Sequence, residues 1–88
     1  MTYDTKERIL HLGVHEKVHL TNNEHKFLIT LSSGEMTEYK EIKKYLKVNC
    51  VDVLRSIKKR LVKKTKHQLK IQTLCKYGYR LENEIYFK

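Results

Sequence analysis

Arg55, Ser56, Lys58, Lys59 and Lys63 crowd into nine residues, and Lys76, Tyr77 and Arg80 into five. Side chains of these types at this spacing are suited to gripping a polyanion. A guanidinium presents a fork of N–H donors that matches the O6 and N7 acceptors of guanine, and an ammonium neutralises a phosphate. A serine hydroxyl reaches either kind of partner, and a phenol packs on a sugar or donates to a phosphate. The charge balance along the chain supports the same chemistry. Residues 1–53 carry eight Lys/Arg against eight Asp/Glu, whereas residues 54–88 carry eleven against Glu82 and Glu84 alone. The whole net charge of +9 is therefore confined to the last third. A basic excess held in one segment implies a polyanionic partner. A solvated lysine-rich face is the plainer explanation of the same composition.

Those residues need elements to hold them. Cys50, Leu54, Ile57 and Leu61 recur at intervals of four, three and four, which predicts a helix with a narrow apolar stripe running to about Lys64. Asn49 is its expected N-cap, with Asp52 favouring the first turn. Arg55, Ser56, Lys58, Lys59, Arg60 and Lys63 then face outward. Downstream, Leu69, Ile71 and Thr73 alternate with Lys70, Gln72 and Leu74, as in a half-buried strand. Lys76-Tyr77-Gly78 supplies a turn and Tyr79-Arg80-Leu81 a return strand, giving a basic hairpin directly after the basic helix. Tyr79 alternates with outward residues and is expected to pack in the core, with its hydroxyl at the edge. Ile85-Tyr86-Phe87 either extends the return strand or packs back on the body.

Two helices precede this unit. Thr21-Asn22-Asn23-Glu24 spells a capping box for a helix with Phe27, Leu28 and Leu31 on one stripe, ending near Ser33-Gly34. Thr37 is the expected N-cap of a second helix, with Tyr39, Ile42, Tyr45 and Leu46 on its apolar face and an end near Lys47. Only Lys47-Val48-Asn49 separates it from the third, and so tight a turn makes the two helices cross steeply, as in a helix-turn-helix. Residues 8–12 and 17–20 read as a short strand pair around Gly13. The expected architecture is α+β over a single domain, 1–88: small N-terminal antiparallel strands, three helices and a C-terminal hairpin.

The same reading excludes several functions. With 88 residues the chain buries only about 60–65% of its unfolded surface, which leaves no room for a catalytic cleft. No Ser/His/Asp or Cys/His constellation is present, so no catalytic residues are expected. His11, His15 and His19 do not converge on strands joined by a turn, so no metal site is expected. Cys50 and Cys75 form no CxxC and are expected as reduced, partly buried thiols, Cys50 on the apolar stripe. Gly13, Gly34 and Gly78 are too far apart for a phosphate-cradling loop and read as turn markers, so no cofactor is expected. No apolar run approaches the roughly 20 residues of a membrane span, and Met1–Arg8 has no leader-like core, which together suggest a cytoplasmic protein.

Three runs together resemble a known family. Leu20-Thr21-x-x-Glu24-x-x-Phe27-Leu28-x-x-Leu31 is similar to the first helix of winged-helix effector domains of the OmpR/PhoB response-regulator type, and Leu54-x-x-Ile57-Lys58-x-x-Leu61 to their recognition helix. Ile71-Gln72-Thr73-Leu74-Cys75-Lys76-Tyr77-Gly78-Tyr79-Arg80-Leu81 resembles their wing, a Thr-Val-Arg-Gly-x-Gly-Tyr-Arg run. The resemblance covers about residues 8–82. It implies a winged helix-turn-helix with the third helix in the major groove, Arg55, Ser56, Lys58 and Lys59 facing DNA, and Thr73 and Tyr79 on phosphates. It also implies a bacterial, viral or mobile-element origin. Cys75 stands where the family has its wing arginine, and Lys76 where it has a wing glycine. The loop between the second and third helices, which in the family contacts RNA polymerase, is almost absent, so that contact is not expected. Nothing in the 88 residues reads as a receiver domain.

The expectation is thus a sequence-specific double-stranded DNA-binding regulator of transcription, whose contacts are Arg55, Ser56, Lys58, Lys59, Lys63, Thr73, Lys76, Tyr77, Tyr79 and Arg80. A domain this small suggests a homodimer on two-fold sites or tandem binding. The alternative is a winged helix used as a protein-interaction module through its apolar C-terminal residues. RNA binding fits the charge but lacks a stacking platform of aromatics.

Overall fold

A computed structural model describes all of residues 1–88. The chain runs β1 (Thr2–Asp4), β2 (Ile9–His11), β3 (Lys17–His19), α1 (Asn22–Thr30), β4 (Thr37–Glu38), α2 (Tyr39–Leu46), α3 (Val51–Lys64), β5 (Ile71–Leu74), β6 (Gly78–Leu81) and β7 (Tyr86–Phe87). This is an α+β fold of three helices and two sheets. One sheet has the order β3-β2-β1-β7, the other β4-β6-β5.

The first sheet is anchored by alternation. Tyr3 opposes Leu10 in the antiparallel β1–β2 pair, and both are fully buried. Asp4 and Thr2 flank Tyr3 on the other face, which is why a segment that looks merely polar forms a strand. Ile85–Phe87 turns back on the body: β7 pairs parallel to β1, and the Phe87 ring meets Tyr3 edge-on at 5.9 Å. Burial raises the Tyr3 phenol to about 12 and keeps the adjoining His25 below the ordinary histidine range, and the phenol oxygen and Nδ1 share a hydrogen bond of 2.5 Å.

The α1 capping box forms as spaced: the Glu24 amide donates to Thr21 Oγ1 at 3.3 Å, and Glu24 Oε1 accepts the Thr21 amide at 2.9 Å. The helix ends at Thr30, earlier than Ser33-Gly34. Leu31 and Ser32 instead bond three residues back, to Leu28 and Ile29 carbonyls, in tightened turns. Thr37 is not an N-cap. It lies in β4 and donates to the Thr30 carbonyl, while Glu38 occupies the cap of α2 without a side-chain bond. The first α2 amide, Tyr39, is satisfied by the Tyr77 carbonyl at 2.7 Å, so the hairpin caps the helix. Nor does Asn49 cap α3; the N-cap is Cys50, exposed and off the apolar stripe. Cys75 is exposed as well, at the hairpin turn, so neither thiol is partly buried. Tyr45 also leaves its expected face, being about half exposed, because Tyr39, Ile42 and Leu46 already fill the contact of α2.

The core is continuous across all layers. Phe27, Leu28 and Leu31 of α1, Ile42 of α2, and Leu54, Ile57 and Leu61 of α3 are completely buried with Leu69 and Tyr79. Gly78 is more than a turn marker: it sits inside β6 between two neighbours, opposite Leu74 on β5 and Glu38 on β4. A Cβ there would lie 1.8 Å from the Thr37 carbonyl oxygen. Gly78→Ala must therefore break the β4–β6 pair, and we expect a loss of about 2–4 kcal/mol in urea unfolding.

The second tie is ionic. Glu24 is 1% exposed, and Lys64 at the end of α3 donates to its Oε1 at 2.7 Å and to the His19 carbonyl at 2.8 Å. Burial alone would raise the Glu24 carboxyl, but Lys64 and the Thr21 amide together hold it below its ordinary value. A carboxyl depressed in the folded state stabilises it above the unfolded carboxyl range, near pH 4.5, and that stabilisation is lost as pH falls through the folded value. Glu24→Gln should cost about 1–3 kcal/mol at pH 7 and make the acid limb of the thermal-melting profile shallower. An unchanged acid limb would remove the pair from the stability argument.

Candidate nucleic-acid interface

With Leu54, Ile57 and Leu61 turned inward, the helical period divides the remaining faces of α3 into three. Lys58, Val62 and Arg55 look toward the hairpin, Lys59 and Lys63 outward, and Ser56, Arg60 and Lys64 toward α1. All are exposed except Lys58 and Val62, which are half-buried at the seam.

That seam fixes helix and hairpin relative to one another. Lys58 Nζ donates to Thr73 Oγ1 on β5 and stands 5.5 Å from the centre of the Tyr79 ring, a cation–π distance. Tyr79 is only 1% exposed. Its ring packs on Phe27 at 5.5 Å and edge-on against Tyr39 at 5.1 Å, and burial with the neighbouring Tyr39 pushes its phenol up to about 12. Tyr79 is thus a core residue that reaches the groove at its edge, as its strand position predicted.

Between α3 and the hairpin runs an open groove of about 610 Å³. Arg55, Lys58, Lys59, Lys63 and His67 supply its cations or potential cations, Val62 and Tyr79 its apolar part, and Thr73 its hydroxyl. A second depression, lined by Ser56, Lys59, Arg60 and Lys63, continues around the helix. Arg60, Lys63 and Lys64 carry the basic belt on to the start of α1 beside Thr21. Of the predicted residues, Arg55, Lys58, Lys59, Lys63, Thr73 and Tyr79 therefore converge on one groove, and Ser56 lies just beside it.

The hairpin tip is separate. Lys76 takes φ 65° at the turn where a glycine would be unstrained, and the Tyr77 amide closes the turn on the Leu74 carbonyl at 3.0 Å. Tyr77 and Leu74 are about half exposed there. Arg80 opposes Gln72, and strand alternation turns both away from Thr73, so Arg80 sits on the outer face of the hairpin and not in the groove.

Two site residues escaped the sequence reading. Arg60 was recognisable as an outward cation, but only the nearness of α1 makes it part of the belt. His67 had no signal, since its place depends on two successive left-handed residues, Lys66 (φ 54°) and His67 itself (φ 63°). His11, His15 and His19 are exposed on or beside the β2–β3 hairpin, and no group of three His, Cys, Asp or Glu is arranged to hold a metal ion.

Only two ion pairs exist in the whole chain: Lys64–Glu24, and Arg55–Asp52 at 3.0 Å on the surface. Lys59, Arg60 and Lys63 have no acidic partner. The outward face of α3 is thus a field of uncompensated positive charge beside the hairpin. No helix is long and apolar enough to cross a membrane. Comparison with protein-family models, curated proteins and solved structures yields no match. Thr73→Val removes the Lys58 bond while keeping the strand's β-branched side chain. It should cost at most about 1 kcal/mol in global stability yet speed amide hydrogen exchange across 71–81.

Proposed function

We propose that this chain is a winged-helix, sequence-specific double-stranded DNA-binding regulator of transcription, with α3 in the major groove and the hairpin as a wing on the adjacent backbone. The observation that carries this reading is the unpaired basic face of α3 joined through Lys58 and Thr73 to the hairpin. A helix with its side chains fits the roughly 12 Å width of the major groove. Arg55 and Ser56 are the base-reading candidates, since both are exposed early in α3, where a recognition helix meets base edges. Lys59, Lys63 and Arg60 are phosphate contacts. Lys58 of α3 and Thr73 of the wing form the groove wall, and Lys76 and Tyr77 reach the backbone from the tip. Arg80, facing away from the groove, serves this reading only where DNA bends around the hairpin.

The strand order fits the same interpretation. The β4-β6-β5 sheet ties the hairpin to the start of α2, so helix pair and wing approach a duplex as one body. The contrasting reading, a protein-interaction module working through the C-terminal residues, has less to use: β7 is committed to β1, leaving Tyr86 as its one outward aromatic.

Fluorescence anisotropy on duplex DNA across a salt series tests the proposal. Arg55→Ala, Lys59→Ala and Lys63→Ala combined should weaken binding at least tenfold. The log–log salt slope should flatten by about 0.9 for each phosphate left without its cation, or about 2 for Lys59 and Lys63 together. A triple variant that melts normally and binds with the wild-type salt slope would rule out α3 as the DNA-reading helix.

A further inference from the structure

The connection from α3 to β5 holds a histidine in the lining of the basic groove. His67 follows the helix in left-handed backbone at φ 63°, next to Lys66 at φ 54°. Side-chain-bearing residues adopt this region infrequently, although histidine is among those that tolerate it. The geometry is held by a dense local lattice. The His67 amide donates to the Val62 carbonyl at 2.9 Å, Lys66 to Lys63 at 3.1 Å and Gln68 to Thr65 at 3.0 Å. Thr65, completely buried, donates from Oγ1 to the Leu61 carbonyl and accepts the Leu69 amide. The turn is therefore a fixed shelf, and it places the imidazole in the wall of both open pockets along the α3–hairpin seam.

The charges around that imidazole are unbalanced. His67 shares the lining of the two pockets with Arg55, Lys58, Lys59 and Lys63 of α3 and with Lys70 and the single carboxylate Glu82 of the hairpin segment. A phosphate drawn in by those cations brings negative charge directly beside the ring and favours its protonated form. Histidine is the side chain whose charge a neighbouring anion most readily changes near neutral pH.

We propose that His67 is a protonation-dependent phosphate contact: binding of DNA in this groove takes up a proton on the imidazole, and affinity rises as the pH falls. The inference rests on the DNA-binding reading and adds a linked proton to it. One proton bound with the ligand limits the gain to tenfold per pH unit.

The test is anisotropy on one duplex at pH 8, 7 and 6 and constant ionic strength. It compares wild type with His67→Asn, a neutral residue that also tolerates left-handed backbone, and His67→Arg, which carries a fixed charge. Wild type should tighten about three- to tenfold from pH 8 to pH 6. The Asn variant should lose most of that gain and bind near the wild-type pH 8 value throughout, while the Arg variant should bind tightly and independently of pH. Calorimetry in two buffers of different ionisation enthalpy should show proton uptake for wild type only. Equal pH dependence in wild type and Asn variant, with salt-dependent DNA binding intact, overturns the role of His67 and leaves the DNA reading standing. Absence of salt-dependent DNA binding at every pH overturns both.

Discussion

The missing side chain at position 78 is the constraint on which the rest of the arrangement depends. β6 must accept β5 on one edge and β4 on the other, and at Gly78 the β4 backbone comes so near that no Cβ fits beside the Thr37 carbonyl. That approach puts the Tyr77 carbonyl on the first amide of α2 and the Tyr79 ring between Phe27 and Tyr39. A two-stranded hairpin alone is marginal in water. Here it becomes a three-stranded sheet with an aromatic pinned in the core, and its tip projects from a firm base.

Glu24 does for α3 what Gly78 does for the hairpin. One carboxylate caps α1, takes the Lys64 ammonium and brings the end of α3 against the β3–α1 junction. A buried carboxylate is tolerable only because it is paired and hydrogen-bonded, here through Oε1 to both Lys64 and the Thr21 amide, and replacing Lys64 leaves charge stranded out of water. α3 is consequently held at both margins, by Lys58 along the hairpin and by Lys64 at its C-terminal end, with its outward face left free.

Legibility in the sequence followed how local the determinant was. The capping box at Thr21–Glu24, the buried triad Leu54, Ile57 and Leu61, and the alternation through the hairpin depend on neighbours a few residues away, and all were readable. Thr37 has the chemistry of an N-cap but does not cap, because a distant carbonyl at Tyr77 and a sheet pairing with Tyr79 took over its role, and Asn49 does not cap because α3 begins one residue later, after Cys50. Cys50 kept the apolar spacing yet begins the helix, where the first turn is open to water. β1 was hidden, and β7 was legible only as an apolar run that extends the return strand or packs back on the body, because each is only two or three residues long and pairs with the other. The groove itself was half legible: the α3 residues could be assigned from periodicity, whereas Arg80's outward face needed the strand register and His67 needed the backbone dihedrals.

The basic residues divide into those that build and those that remain available. Lys58 and Lys64 are committed to contacts that orient α3. Lys59, Arg60 and Lys63 make no such contact, and together with Arg55 they concentrate like charge on one face, which self-repulsion makes unfavourable for the free fold. Nothing in the packing needs them: the stripe is complete without their stems, and neutral polar residues would keep the helix soluble. On the DNA-binding proposal, the duplex is the polyanion that would neutralise that charge. A ligand that binds the folded state alone offsets the repulsion with added stability. The charges that fix α3 thus lie at its margins, in Lys58 and Lys64, and those without an acidic partner lie along its exposed length, where the proposed duplex would meet them.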